Sequence, residues 1–319
     1  MIARRKAREK PFFRGFYPQS AEHSRRADIS GRGAKQKRRS VNDFGMNITL
    51  YPLPDLVEEN IAPDAAIFID VLRATTTMTV ALAAGAARII PIADPQEALR
   101  LKKRSVESGR LKEEEILLGG ERRAVRIAGF DLGNSPKEYT PEKVAGKTIL
   151  FSTTNGTRAI LSLRSGRTKK FLGSFAAAAA LTRRIAGDPS IESLAIICAG
   201  TDRQYTEEDL LLAGCFVEAI ASAHEKRFLE RGDFESAVAL STAAQTYRRA
   251  WRQFTAGLSA EEGALPRALA CALKESRGGQ NLVRAGLAGD IADCCEPDRF
   301  DLVAEYRLGE IVRADGDKP

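Results

Sequence analysis

The stretch AAIFIDVLRATTTMTVALAAGAARIIPIAD, residues 65–94, decides the fold. Residues 66–71 form a short apolar run with β-branched side chains, the pattern of a buried strand. Asp70 and Arg73 are charges at its end. Thr75, Thr76 and Thr77 follow, then an apolar helical pattern closed by Gly85, and residues 89–92 read as the next strand. The unit is therefore strand, polar turn, helix, strand. Ligands of open parallel sheets bind beyond the carboxyl ends of strands, so Asp70 and Arg73 stand where chemistry is expected. The plain alternative is that Asp70 and Thr76 cap the helix and Arg73 pairs with Asp70; the stretch alone leaves both open.

The same plan recurs twice. Residues 148–152 form a strand running into TTNGT (153–157) and a short helix. Residues 194–198 form another, running into AGTDRQY and a helix from Glu207 to about Arg227, with Thr206 and Asp209 spaced as a capping box. Around these units lie a first strand at 47–51, ended by Pro52 and Pro54, and a helix opened by Asp94, Pro95 and Glu97 that runs to about Gly109. Residues 114–118 form a strand entering Gly119 and Gly120. The loop GFDLGNSP (129–136) carries three breakers, Gly129, Gly133 and Pro136, and predicts no helix. A strand at 170–172 and a helix at 176–185 follow. The remainder is mostly helical, at 234–254, 261–274 and 281–285, with a late strand at 302–306. The expectation is an α/β protein with a mixed or mostly parallel sheet flanked by helices and a helical C-terminal portion. Residues 46–310 make one body, any division into two lobes falling near 187–193, and 311–319 form a polar tail.

Composition narrows the classes. The chain of 319 residues is 44% hydrophobic and 29% charged, a globular profile. No apolar run reaches 18 residues, so no membrane span and no membrane partner are expected. The start has charges without an apolar core behind them, which predicts no secretory signal. Five cysteines in a pattern that fits neither a zinc ribbon nor a disulfide framework point to a reduced, cytoplasmic setting. The formal charge of +7 belongs to one segment: residues 1–45 carry 13 Lys or Arg against 4 Asp or Glu, and the rest carries 36 against 38. That tail reads as disordered. It could touch nucleic acid nonspecifically, or be sequence upstream of a start at Met46, the reading favoured here. The body shows no surface for specific nucleic-acid binding.

Several residues can carry chemistry. The helix starts after Thr75, Thr76 and Thr77, and after Thr153, Thr154, Asn155, Gly156 and Thr157, offer free N–H groups and hydroxyls to an oxyanion. Arg73 can clamp a phosphate or sulfonate. Asn134 and Ser135 add a third polar patch. Each, taken alone, is also an ordinary cap or turn. Asp70, Glu121, Asp131, Glu208 and Asp209 are oxygen ligands of the kind that suit Mg²⁺. With only His23 and His224 present, a Ser-His-Asp site is excluded. Cys198 lies five residues before Arg203, one short of the spacing of a cysteine phosphatase, and reads as a buried structural thiol. Walker and Rossmann glycine patterns are absent.

Five ordered motifs, IDVLRATTT (69–77), LGGER (118–122), GFDLGNSP (129–136), TTNGT (153–157) and CAGT (198–201) with Glu208 and Asp209, resemble the signature of the 2-phosphosulfolactate phosphatase family. The likeness runs from about Met46 to about Tyr306. It implies an α/β fold outside the common phosphatase folds, a homodimer, and Mg²⁺-dependent release of phosphate from 2-phosphosulfolactate, as in coenzyme M biosynthesis. In that reading Asp70, Arg73 and Glu121 are catalytic. Mg²⁺ sits on Asp70 with Glu121 or Asp209. Thr75, Thr76, Asn134, Ser135, Thr154, Asn155, Gly156 and Thr157 bind phosphate and substrate, and Arg122, with Arg126, meets the carboxylate and sulfonate. The attacking group is water or Asp70 itself. Two departures, Asp202-Arg203-Gln204 after Thr201 and SRGGQNL at 276–282, bear on which substrate is taken. The alternatives are a phosphatase for another small phosphorylated 2-hydroxy acid and a non-enzymatic anion-binding module.

Overall fold

In the computed structural model, which describes residues 45–230 and 238–314, strand β2 (Ala65–Ile69) is buried along its whole length. Its side chains alternate between two cores. Ala65, Ile67 and Ile69 face one apolar cluster, and Ala66 and Phe68 face another. A strand covered on both sides has no polar face to show, which is why its sequence is a continuous apolar run. Its neighbours β7 (Lys169–Gly173) and β8 (Ser193–Cys198) pair with it in parallel. β1 (Met46–Tyr51) pairs in parallel with β8 and with a short strand, β9 (Val238–Leu240). A second parallel block is made of β3 (Arg88–Pro91), β6 (Thr148–Ser152) and β4 (Ile116–Arg122), edged by the antiparallel two-residue β5 (Val125–Arg126).

The hairpin of β10 (Ala304–Arg307) and β11 (Glu310–Arg313) joins the blocks, pairing antiparallel with β7 on one side and β3 on the other. The sheet has eleven strands, in the order β5-β4-β6-β3-β11-β10-β7-β2-β8-β1-β9. The fold is α/β with a mixed, mostly parallel sheet. Three antiparallel steps give β6 the opposite formal sense to β2, yet their carboxyl ends meet. Five strand-to-strand steps separate them, and at about 20–25° of twist per step the accumulated rotation is roughly 100–125°. That turns opposed strands into crossing ones.

Helix α1 (Ala74–Ala83) fills the fold of the sheet, and its residues from Ala74 to Leu82 are all buried. Four threonines are tolerated there because each hydroxyl finds a carbonyl. Thr75 donates to Gly173 O at 2.7 Å, Thr76 to Val71 O at 3.0 Å, Thr77 to Asn134 O at 2.9 Å and Thr79 to Thr75 O at 2.8 Å. The outer face of the second block is covered by α2 (Pro95–Glu107), whose N-cap Asp94 accepts from Gln96 N. The short helices α3 (Pro141–Val144) and α4 (Gly156–Ser162) flank β6. The first block packs on α5 (Ala178–Ala186), α6 (Glu207–Glu230) and α7 (Thr242–Ala256). The helical C-terminal region continues with α8 (Ala264–Glu275), α9 (Arg277–Arg284) and α10 (Gly289–Cys294).

The helix expected over 234–254 begins only at Thr242. Ser241 caps it by accepting from Ala244 N, and Val238–Leu240 pairs with β1 instead. Residues 234–237 lie outside the described residues. The helix expected at 281–285 starts earlier, at Arg277, with Ser276 as its cap. The tail expected from 311 yields its first three residues to β11. The basic tail expected over 1–45 lies, apart from Gly45, outside the described residues, as do 315–319. Among the described residues no helix is long and apolar enough to cross a membrane.

Candidate active site

The exits of β2, β4 and β6 and one side of α9, from Gly278 to Arg284, line a cavity of about 480 Å³, within the roughly 300–1,000 Å³ usual for small-molecule sites. Asp70, Arg73, Glu121, Asn134, Thr154 and Asn155 line it. Four stretches that stand far apart in the chain thus supply these six residues.

Asp70 follows β2 directly. Its Oδ1 accepts from Ala74 N at 3.2 Å, so it does cap α1, reaching over the turn. Arg73 does not pair with it. The guanidinium instead donates from Nη1 to Asp290 Oδ2 at 2.6 Å and from Nη2 to Ala124 O at 3.4 Å. Arg73 and Asp290 are 3% and 5% exposed, so the pair is desolvated. Ser135 serves this pair: its hydroxyl donates to Asp290 Oδ1 at 2.8 Å.

Glu121, at the end of β4, uses both carboxylate oxygens on backbone amides. Oε1 accepts from Thr154 N at 3.0 Å and Oε2 from Ala124 N at 2.7 Å. The amide expected to receive an oxyanion at the TTNGT turn therefore already holds a carboxylate. Gly156 abuts Asp70: a Cβ there would lie 2.8 Å from Asp70 Oδ2 and 2.5 Å from Ala74 Cβ. Thr157 is turned inward, its N–H donating to Thr153 Oγ1 at 3.1 Å.

Thr75 and Thr76 are spent on backbone carbonyls beneath the cavity. Arg122 points away from it, to Ala93 O at 2.8 Å and Ser152 Oγ at 3.0 Å. Arg126 lies on the surface, 3.4 Å from Asp131 O. Asp131 itself accepts from Leu118 N at 2.8 Å, away from the lining.

Asp209 sits behind Asp70. Rather than closing a capping box, it accepts from Val71 N at 2.9 Å and Gly200 N at 3.0 Å, tying the exits of β2 and β8 together. Beside it, Glu208 approaches Gly278 so closely that a Cβ there would lie 2.0 Å from its Oε1, and among the described residues Oε2 has no hydrogen-bond partner. Asn134 Oδ1 is likewise buried and, among the described residues, without a partner, although the residue lines the cavity. Buried polar atoms left unsatisfied are rare; of these two residues Asn134 lines the cavity, where a donor from a ligand can complete its oxygen.

The electrostatics follow from this crowding. Asp70 is pushed up to about 8, first by burial and then by the charges of Asp209 and Glu121. Burial raises Asp209 to about 7, reinforced by Glu208, and Glu208 rises to about 7 mainly from burial. Burial and the same two carboxylates hold the Cys198 thiol well above its ordinary range, so it stays protonated and inert. These acids outnumber Arg73, the buried guanidinium that lines the same cavity. Their oxygen donors suit a hard divalent cation. Among the described residues, however, no three His, Cys, Asp or Glu side chains converge closely enough to hold a metal ion alone.

Asp290, Arg123 and Arg284 escaped the sequence reading. Asp290 lies 217 positions from Arg73, beyond any local pattern, and Arg123 adjoins the motif at 118–122 without belonging to it.

A family model described as 2-phosphosulpholactate phosphatase matches residues 51–309. A protein of Symbiobacterium thermophilum described as a probable 2-phosphosulfolactate phosphatase is 37% identical over 80% of this chain and 96% of its own length. Proteins of the same description from Caldicellulosiruptor saccharolyticus and Caldanaerobacter subterraneus are 34% and 35% identical, over 96% and 93% of their lengths and 82% of this chain. The chain therefore belongs to the 2-phosphosulfolactate phosphatase family.

Proposed function

We propose that the protein hydrolyses the phosphate monoester of a small 2-hydroxy acid, 2-phosphosulfolactate being the substrate that its family points to, and releases sulfolactate and phosphate. The observation that carries this reading is the meeting of Asp70, Arg73, Glu121, Asn134 and Thr154 in one cavity. A phosphoryl group there would face a guanidinium, a side-chain amide and a carboxylate with raised proton affinity.

The residues fit a magnesium ion in part. Asp70, with Glu121 or Asp209 near it, would supply one or two oxygens, and water and phosphate oxygens would complete the shell, the usual manner of Mg²⁺. Bound there, the ion would neutralise phosphoryl oxygens and the surplus acid charge. Arg73 would hold phosphoryl oxygens as charge grows on them. Asn134 would orient the ester through its side-chain amide, and Ser135 would act at one remove by fixing Asp290. Asp70 would either orient an attacking water or itself attack; the second route passes through an acyl phosphate that borohydride reduction would trap.

The test is phosphate release from 2-phosphosulfolactate after thorough chelation and again after Mg²⁺ is restored. The expected result is loss and recovery of turnover. Undiminished release after chelation overturns the metal, and undiminished release by Asp70→Asn overturns the role given to Asp70. No release from any small phosphorylated acid would leave an anion-binding module in place of a hydrolase.

A further inference from the structure

The cavity has a buried floor and an exposed rim. Asp70, Glu121 and Asn134 on the floor are 9%, 8% and 5% exposed. The rim carries three charged residues, Arg123, Asp202 and Arg284. Asp202 is answered within the protein, 3.7 Å from Arg277 Nη2. The two arginines are not: among the described residues neither forms an ion pair, and Arg284 only donates from Nε to Gln280 O at 3.2 Å. The guanidinium edge bearing Nη1 and Nη2 is thus left for another partner.

Arg123 is presented by a fixed turn. It and Ala124 join β4 to β5 with φ of 53° and 65°, the left-handed pair of a tight hairpin. Ala124 is fastened on both sides, its N–H to Glu121 Oε2 and its carbonyl to Arg73 Nη2. The floor of the site therefore sets the position of the residue at its mouth. Arg284 comes from the last turn of α9, on another part of the chain. Two cations that share a cavity and lack internal counter-charges are matched by an anion that both can grip.

We propose that Arg123 and Arg284 form a second anion subsite at the mouth of the cavity, which takes a terminal sulfonate of the substrate and so selects phosphomonoesters that carry one. This rests on the reading above, in which the phosphate occupies the floor. In 2-phosphosulfolactate the carboxylate is attached to the carbon that bears the phosphate, whereas the sulfonate stands one methylene further out. The sulfonate is the group that reaches the rim.

The experiment compares 2-phosphosulfolactate with 2-phospholactate, which keeps the carboxylate and has a methyl group in place of the sulfomethyl group. The proteins are wild type, Arg284→Ala, Arg123→Asn and the double variant; asparagine is chosen because it tolerates positive φ. For the double variant, kcat/KM on 2-phosphosulfolactate should fall by about 10–100-fold, mostly through KM, as expected when charge-assisted hydrogen bonds are lost. The loss on 2-phospholactate should be at least about tenfold smaller. Losses on the two esters equal within about twofold overturn the subsite. A calorimetric titration with sulfolactate judges it without turnover: the wild type should bind and the double variant should bind at least about tenfold more weakly. Failure of the wild type to bind sulfolactate, or equal binding by both, also overturns it. If neither ester is hydrolysed, the hydrolase reading falls and the titration decides the subsite on its own.

Discussion

At the scale of single residues, the site turns on a buried charge pair. Arg73 is 3% exposed and, among the described residues, its one carboxylate partner is Asp290. Removing one member of such a pair leaves an uncompensated charge in the interior, at a cost of about 3–5 kcal/mol. Asp290→Asn should therefore lower the urea unfolding free energy by that order and displace the guanidinium from its place. Adding Arg73→Met to it should recover much of the loss, because the orphaned charge goes too. A shift of less than about 1 kcal/mol in Asp290→Asn would mean that the pair is solvated and does not hold Arg73. Arg73→Ala alone should cut phosphate release by about 10²–10³-fold, the scale of a lost transition-state donor; a change under about threefold would remove its role as a clamp. The sequence discloses Arg73 because it follows an apolar strand, a local signal. It does not disclose Asp290, which sits in the six-residue α10 and touches Arg73 only through the tertiary fold.

Among elements, the β4–β6 pair sets the geometry of Glu121 and Thr154. Their approach is close at Gly120, which has φ of +141°; a Cβ there would lie 2.0 Å from Ser152 O. Gly120→Ala meets both backbone strain and a backbone atom that cannot move aside, and should destabilise the protein by about 2–4 kcal/mol. Gly146→Ala is the control. Its φ is +72° but nothing lies within 4 Å of the added Cβ, so the strain alone, about 1–2 kcal/mol, applies. Equal melting temperatures for the two variants would show that the strands can separate at Gly120 without loss. Legibility at this scale follows length and burial. β2, and the centres of β6 and β8 at 149–151 and 194–198, are readable because strands buried on both faces are apolar runs. β9 is missed because three residues beside an apolar helix fit either period. β11 is missed because the turn before it uses Leu308 at φ of 52°, a conformation that leucine does not advertise.

For the whole molecule, the twist of a mixed sheet gathers more acid than base at one point, and stability should record it. Asp70, Asp209 and Glu208 are raised in the fold to about 8, about 7 and about 7, against an ordinary carboxylate value of about 4. A raised acid favours the protonated form in the folded state. Its contribution is full below the ordinary value and is lost as pH rises through the folded value. Metal-free protein should therefore melt at a progressively lower temperature between pH 6 and pH 9. Two other kinds of buried group bear on the same window. Cys198 and Cys294, raised by burial, stay protonated in the fold but ionise in the unfolded chain near about 8.5, so they add to the fall above about pH 8, whereas His224, lowered by burial, works against it below about pH 7; the share of the carboxylates is the part that Asp70→Asn removes. Mg²⁺ should oppose the fall and raise the melting temperature more at pH 9 than at pH 6, since a cation that binds only the folded form takes over the work of the protons. Asp70→Asn should flatten the slope. A melting temperature of the chelated protein that is constant or rising from pH 6 to pH 9 would show that these carboxylates are solvated in the fold, and with that the electrostatic case for a cation among them would fail.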